Sequence, residues 1–192
     1  MDELLARIDR IESTQAIQQL PIRYAMAVDG RDIDGWVKLF VEDVDCGRYG
    51  KGREALKSFI APTVSNFYRS LHLICGHRID FVDADNATGA VYCRAEHEDG
   101  DNWVVMGICY FDTYARRDGE WFFVRRKERH WYAAEEMDRP HGPNFSNWPG
   151  QAIPEPTMPQ AFPTWAGYWD RVSCEAVALR THYPVHADSE DS

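Results

Sequence analysis

Asp29, His72, His97, Arg126 and His130 are ionisable residues that the helix and strand pattern of this chain turns toward one interior, and Tyr24 stands five positions before Asp29. An imidazole titrates near neutral pH. A buried carboxylate beside it fixes the tautomer and stabilises the imidazolium, and the two together make a general base. A single histidine is more often structural than catalytic, so the chemistry depends on these side chains converging. Asp29 is the candidate carboxylate, and His72, His97 and His130 are the candidate imidazoles. Other chemistries find less support. His72-x4-His77 puts two rings on opposite faces of a regular strand, and neither His-x-His nor HExxH occurs, so no metal is expected. There is no GxSxG, and the Gly-Lys-Gly run at 50–52 is too short for a phosphate loop. No organic cofactor is expected either.

Positioning such groups requires helices followed by a sheet. Leu4, Leu5, Ile8 and Ile11 share a helical face. Ser13 or Thr14 is the expected cap of a second helix carrying Ile17, Leu20, Tyr24 and Val28, with Pro21 kinking it or marking its first turn. Gly30 is placed to stop that helix, and Asp32 to cap a short one over 33–40. Residues 43–50 read as a short strand and 52–59 as a third helix, stopped before Pro62. From Ser70 the period changes to two, giving strands at about 70–83, 87–98, 102–115 and 121–132. Asp-Gly pairs in two of the linkers signal hairpins. The expected class is α+β, with an antiparallel sheet curled over the helices.

Alternation assigns the faces. Val91, Cys93 and Ala95 must face the core, because a slip of one residue would bury Arg94 and Glu96. His97 continues the inward row. On the last strand, Phe122, Val124, Arg126, Glu128, His130 and Tyr132 form the expected inward row, with Arg125, Lys127 and Arg129 outside. Such a row suits a pocket with an apolar floor and an ionisable mouth; the alternative is a buried Arg126–Glu128 ion pair with no catalytic role. The strand at 70–83 is apolar on both faces, Leu71, Leu73 and Cys75 opposing His72, Ile74 and Gly76. Its second face is therefore expected to be covered by the tail or by a partner subunit.

The composition is that of a globular chain, 44% hydrophobic and 27% charged. Net charge is −10, from 21 Lys+Arg against 31 Asp+Glu, which argues against a nucleic-acid partner. No run of about 18 apolar residues exists, so no membrane span is expected. The start MDELLARIDR lacks a basic, apolar leader, which points to the cytoplasm. Five cysteines with no CxxC read as buried reduced thiols. Eight of the ten prolines lie after residue 139, dividing the chain into a body, 1–134, and an extension, 135–192. The aromatic extension, with Trp148, Trp165 and Trp169, is expected to pack on the body or a neighbour and to affect substrate binding more than chemistry.

The runs RYAMAVDGRDIDGWVKLF (23–40), SLHLICGHRIDFVDADNATG (70–89) and YFDTYARRDGEWFFVRRK (110–127) resemble the SnoaL-like branch of the NTF2-like superfamily. Its members include scytalone dehydratase, hexachlorocyclohexane dehydrochlorinase and bile-acid 7α-dehydratase. The resemblance implies a cone, a curved sheet wrapped over three helices around a deep pocket. It also implies a cofactor-free lyase using an Asp–His pair on a hydrophobic cyclic or aromatic small molecule. On this sequence the pair falls on Asp29 and His72, the helix tyrosine on Tyr24 and the second pocket histidine on His97. The pocket cation falls on Arg126, or on His130 after a shift. Tyr49 matches a water-orienting tyrosine, and Met106, Tyr110 and Cys93 are expected to line the pocket. A homo-oligomer, trimer rather than dimer, is implied. The same cone serves isomerases, cyclases, formaldehyde-releasing lyases of lignin-derived aromatics and non-catalytic accessory subunits.

Overall fold

The computed structural model describes residues 2–136 and 164–172. Helices α1 (Asp2–Asp29), α2 (Ile33–Val37) and α3 (Arg53–Val64) precede four strands. These are β1 (Ser70–Phe81), β2 (Asn86–Asp99), β3 (Asn102–Arg117) and β4 (Glu120–Glu135). A short helix, α4 (Trp165–Trp169), belongs to the extension. The strands form one antiparallel sheet in the order β1-β2-β3-β4, curved and unclosed, with the helices against its inner face. Trp148, His141 and Cys174 lie outside the described residues.

Three local expectations are corrected. The two N-terminal helices are one helix of 28 residues. Thr14 does not cap; its hydroxyl donates back to the Arg10 carbonyl at 2.8 Å, which keeps the residue in helical conformation. Pro21 is tolerated because its ring is fully buried in a stretch where Ile17, Leu20, Ala25 and Val28 are also buried. Residues 43–50 are not a strand. Gly47, Gly50 and Gly52 take φ of 59°, 101° and 89°, so the segment curls through a 3₁₀ turn at Gly47–Tyr49. Helix α3 runs past Pro62 to Val64, and Tyr168 of the extension donates to the Ala61 carbonyl in its last turn.

Bulges reset the faces of the sheet. On β4, Tyr114 pairs with Phe123 and Thr113 with Arg125, leaving Val124 unpaired. The inward row therefore starts with Trp121 and Phe123, 6% and 0% exposed, rather than Phe122 and Val124. Phe123 is also clamped between the Leu39 carbonyl and the Val41 amide. A second bulge at Trp131 turns Tyr132 outward, over Gly107, where a Cβ would meet its ring at 2.8 Å. A bulge between Ile74 and Gly76 brings His72 and His77 onto the same inner face, not opposite ones.

The main core packs Ile17, Leu20, Val28, Trp36 and Phe40 against Tyr114 and Phe123. Burying each of these apolar side chains contributes roughly 1.5–3 kcal/mol. Trp165, Tyr168 and Trp169 belong to the same core. The outer sheet face is different. Leu71, Leu73, Tyr92, Phe111, Trp131 and Tyr132 are 44–70% exposed, and none of the described residues covers them. Cys75 is exposed too, against the expectation of uniformly buried thiols.

Candidate active site

Asp29 is the last residue of α1, and the chain leaves the helix in a Schellman turn. The Arg31 amide donates to the Val28 carbonyl and the Asp32 amide to that of Ala27. The turn aims the carboxylate at the start of β1. There Asp29 Oδ1 accepts from the Ser70 hydroxyl at 2.8 Å and from His72 Nδ1 at 2.6 Å, and Oδ2 accepts from the His72 amide at 2.8 Å. The carboxylate oxygens accept all three bonds, so His72 carries its proton on Nδ1 and presents the Nε2 lone pair. Both side chains are buried, His72 7% and Asp29 10% exposed. A carboxylate thus orients an imidazole from behind, the arrangement a general base requires.

Arg31 lies behind Ser70. It occupies the left-handed position of the turn, φ +58°, which is disfavoured for a residue with a Cβ. Its side chain is what holds it there: the guanidinium, 1% exposed as a residue, donates to Ser70 Oγ and to the carbonyls of Val28, Phe67 and Tyr68. Burial pulls its pKa down to about 10, against the charge of Asp29.

His97 stands edge-on to His72, ring centroids 5.7 Å apart, and packs on Phe67. Burial first, then repulsion from His72, lowers its pKa to about 4, so it is a neutral imidazole at physiological pH. Cys93, Tyr110 and Met106 continue the inner face with Val91, Ala95, Ile108 and Ile74 as a packed apolar floor. Burial pushes the Cys93 thiol and the Tyr24 phenol each up to about 12. Both remain protonated.

A second polar group sits farther along this face. Arg126 forms a fork with Asp112, Nε to Oδ1 at 2.9 Å and Nη2 to Oδ2 at 2.7 Å. Its guanidinium carbon lies 4.4, 4.2 and 4.4 Å from the ring centroids of Tyr24, Tyr110 and Phe123. Burial opposes the charge, but the Asp112 bonds outweigh it and keep Arg126 protonated. Among the described residues, its buried Nη1 finds no partner. Tyr114 donates to Asp112 Oδ2 at 2.8 Å, and its oxygen contacts His77 Nε2 at 2.9 Å. Gly89 makes room beneath these rings, since a Cβ there would meet Tyr114 at 3.0 Å and His77 at 3.2 Å.

Asp29, Tyr24, His72, His97 and Arg126 therefore share one interior with Cys93, Met106 and Tyr110. The alternative of an Arg126–Glu128 pair is not what forms: Arg126 bonds Asp112, and Glu128 bonds His130, which is half exposed. Tyr49 is on the surface, hydrogen-bonded by Arg48 and packed at a tilt on Phe59, and is not brought to the pair. Asp112, Ser70 and Arg31 were missed. Alternation signals the first two, since Asp112 follows Ile108 and Tyr110 inward and Ser70 precedes His72. Arg31 carries no such signal.

Two hollows of about 1110 and 840 Å³ open on the surface, neither lined by Asp29 or His72, though the second is bordered by Arg31, Thr164 and Tyr168. No group of three or more His, Cys, Asp or Glu among the described residues is arranged to hold a metal ion. Nor is any helix among them long and apolar enough to cross a membrane.

Known proteins share this framework. γ-Hexachlorocyclohexane dehydrochlorinase of Sphingobium indicum is 28% identical over 129 residues, covering 64% of this chain and 83% of its own. A candidate scytalone dehydratase from Novosphingobium aromaticivorans superposes with a TM-score of 0.60 at 25% identity, covering 77% of this chain and 99% of its own. The type 3 hexachlorocyclohexane dehydrochlorinase of Novosphingobium barchaimii gives 0.61 at 26% identity, covering 68% and 94%. Residues 9–127 match the SnoaL-like domain model, and with an NTF2-like α+β fold around a buried Asp–His contact, this chain belongs to the SnoaL-like domain family.

Proposed function

We propose that this protein is a cofactor-independent lyase that eliminates water or a halide from a hydrophobic cyclic or aromatic small molecule. The relatedness to dehydrochlorinases supports elimination in general. The observation that carries the specific reading is the 2.6 Å bond from His72 Nδ1 to Asp29, which leaves Nε2 as a base. In the proposed step, Nε2 takes a proton from carbon and the C–H electron pair becomes the new C=C bond. The group on the adjacent carbon leaves with its bonding electrons. Asp29 stabilises the imidazolium that results, which then gives its proton to the departed hydroxide, forming water, or to solvent after loss of a halide, and the base is restored. Arg126, whose Nη1 has no partner among the described residues, and the neutral phenol of Tyr24 over it stabilise the departing atom. Neutral His97 orients it by hydrogen bonding. The apolar floor selects a ring substrate. The site belongs to the body, 1–134, with 135–192 as an extension, and the working form is a homo-oligomer, trimer rather than dimer.

The test pairs substrate and variant. γ-Hexachlorocyclohexane and a panel of hydroxylated ring compounds are incubated with protein, and products are read by mass. Elimination predicts loss of HCl or water, a primary isotope effect on deuteration at the carbon losing the proton, and turnover lowered about 10²–10⁴-fold in His72→Ala. Turnover of equal rate in His72→Ala removes the proposed base.

A further inference from the structure

Among the described residues, the extension reaches the site through Thr164–Val172. Thr164 donates its hydroxyl to the Gly30 carbonyl at 2.6 Å, one residue from Asp29. Beyond it, the rings of Trp165, Tyr168 and Trp169 surround the Arg31 guanidinium at 5.0, 5.7 and 5.6 Å, and Phe67 adds a fourth at 5.1 Å. Both indoles are buried, at 4% and 3% exposure.

Arg31 holds a full charge in this cage, yet all four of its hydrogen bonds go to neutral acceptors. Its anion is Asp29, reached through a single hydroxyl. Arg31 Nη1 lies 3.0 Å from Ser70 Oγ, and Ser70 Oγ lies 2.8 Å from Asp29 Oδ1. A guanidinium only donates, so the Ser70 oxygen accepts from it and the single Ser70 proton must go to Oδ1. That oxygen is the one that receives His72 Nδ1–H. The direction of every bond from Arg31 to His72 is thereby fixed. Water admitted beside the guanidinium would screen its charge and compete for its donors.

We infer that the segment Thr164–Val172 is a positioning element for the Asp29–His72 pair, sealing Arg31 so that it locks Ser70 and, through it, the carboxylate. The inference rests on the reading of that pair as the base. It also moves the role of this segment from substrate binding to the chemical step.

Steady-state kinetics and NMR of the His72 Nδ1–H proton in the full chain test it together. Trp165→Leu is expected to lower kcat about tenfold with KM within about twofold, the signature of an interaction used in the chemical step. It is also expected to speed exchange of the Nδ1–H proton with water about tenfold, and Trp165→Phe to restore both. Ser70→Ala cuts the link without touching the cage. The double variant Ser70→Ala/Trp165→Leu is then no worse than Ser70→Ala alone. If Trp165→Leu does not fold, Thr164→Val, which removes only the hydroxyl on Gly30, carries the same readouts. A folded variant with wild-type proton exchange, or additive losses in the double variant, overturns the coupling. Exchange needs no substrate, so a protein that turns over nothing yet shows the expected exchange refutes the elimination chemistry and keeps the coupling.

Discussion

Two buried aspartates sit on the same interior and are satisfied in opposite ways. Asp112 is gripped directly by the Arg126 fork and by the Tyr114 hydroxyl. Asp29 accepts the same number of hydrogen bonds, but its cation is held off behind Ser70, and its near partner is an imidazole. A guanidinium in direct contact neutralises a carboxylate permanently, whereas an imidazole can take up or release a proton against it. One end of the interior is thus a fixed charge, and the other, on the proposed reading, is a proton-exchanging pair.

The sharpest way to break this contrast is at the exchanging end. His72→Ala is expected to reduce turnover by about 10²–10⁴-fold with the circular dichroism of the native fold, and Asp29→Asn to be nearly as damaging. The fixed end should respond in stability first. Asp112→Ala leaves a 5%-exposed Arg126 side chain without its anion, and urea unfolding should show a loss of about 3–5 kcal/mol. Asp29→Asn losing more stability than Asp112→Ala would reverse the assignment.

Acid sharpens the comparison further. The His97 pKa is lowered to about 4 in the fold by burial, below its ordinary value, and burial lowers that of His77 as well. The folded state therefore binds fewer protons than the unfolded chain between about pH 6.5 and 4. The stability from keeping His97 neutral is complete above that window and is lost as pH falls through it. His97→Phe should flatten this part of the unfolding curve by on the order of 2 kcal/mol.

The smallest effect on chemistry is expected on the far side of the sheet. Leu73, Tyr92 and Trp131 stand exposed there, Tyr92 stacked on Trp131. A homo-oligomer should appear in sedimentation as a multiple of 22.2 kDa. Trp131→Lys should shift it toward monomer while leaving turnover within about twofold, because a charge in an apolar contact is costly without a partner. A wild-type monomer would end the oligomer proposal.

The sheet and its hairpins were legible because alternation and Asp-Gly turns are local signals. Asp118 and Gly119 take φ of 51° and 83°, the pair of values a tight two-residue hairpin needs. Asp29 and His72 were legible through the family resemblance, and the inward row of β2 through alternation alone. What failed was phase. Alternation has no means of announcing a bulge, so Phe122, Val124 and Tyr132 were given the wrong face while Arg126, beyond the bulge, was given the right one. The continuous helix escaped because Thr14 and Pro21 are boundary signals that tertiary packing overrode. Arg31 escaped because its ring cage and three of its four guanidinium acceptors come from residues more than thirty positions away.

The Val124 bulge works as a frame-setter for β4. Two arginines, 125 and 126, stand side by side, and at this chain length a strand without the bulge would continue the row begun by Trp121 and Phe123 to bury Arg125 instead. Deleting Val124 restores regular alternation and keeps Arg126 inward, whereas one more residue inserted between Val124 and Arg125 turns Arg125 inward to meet Asp112. The identity of the buried charge is therefore written in chain length as much as in residue type. Drift by insertion or deletion in this strand can re-specify the interior without changing a single side chain.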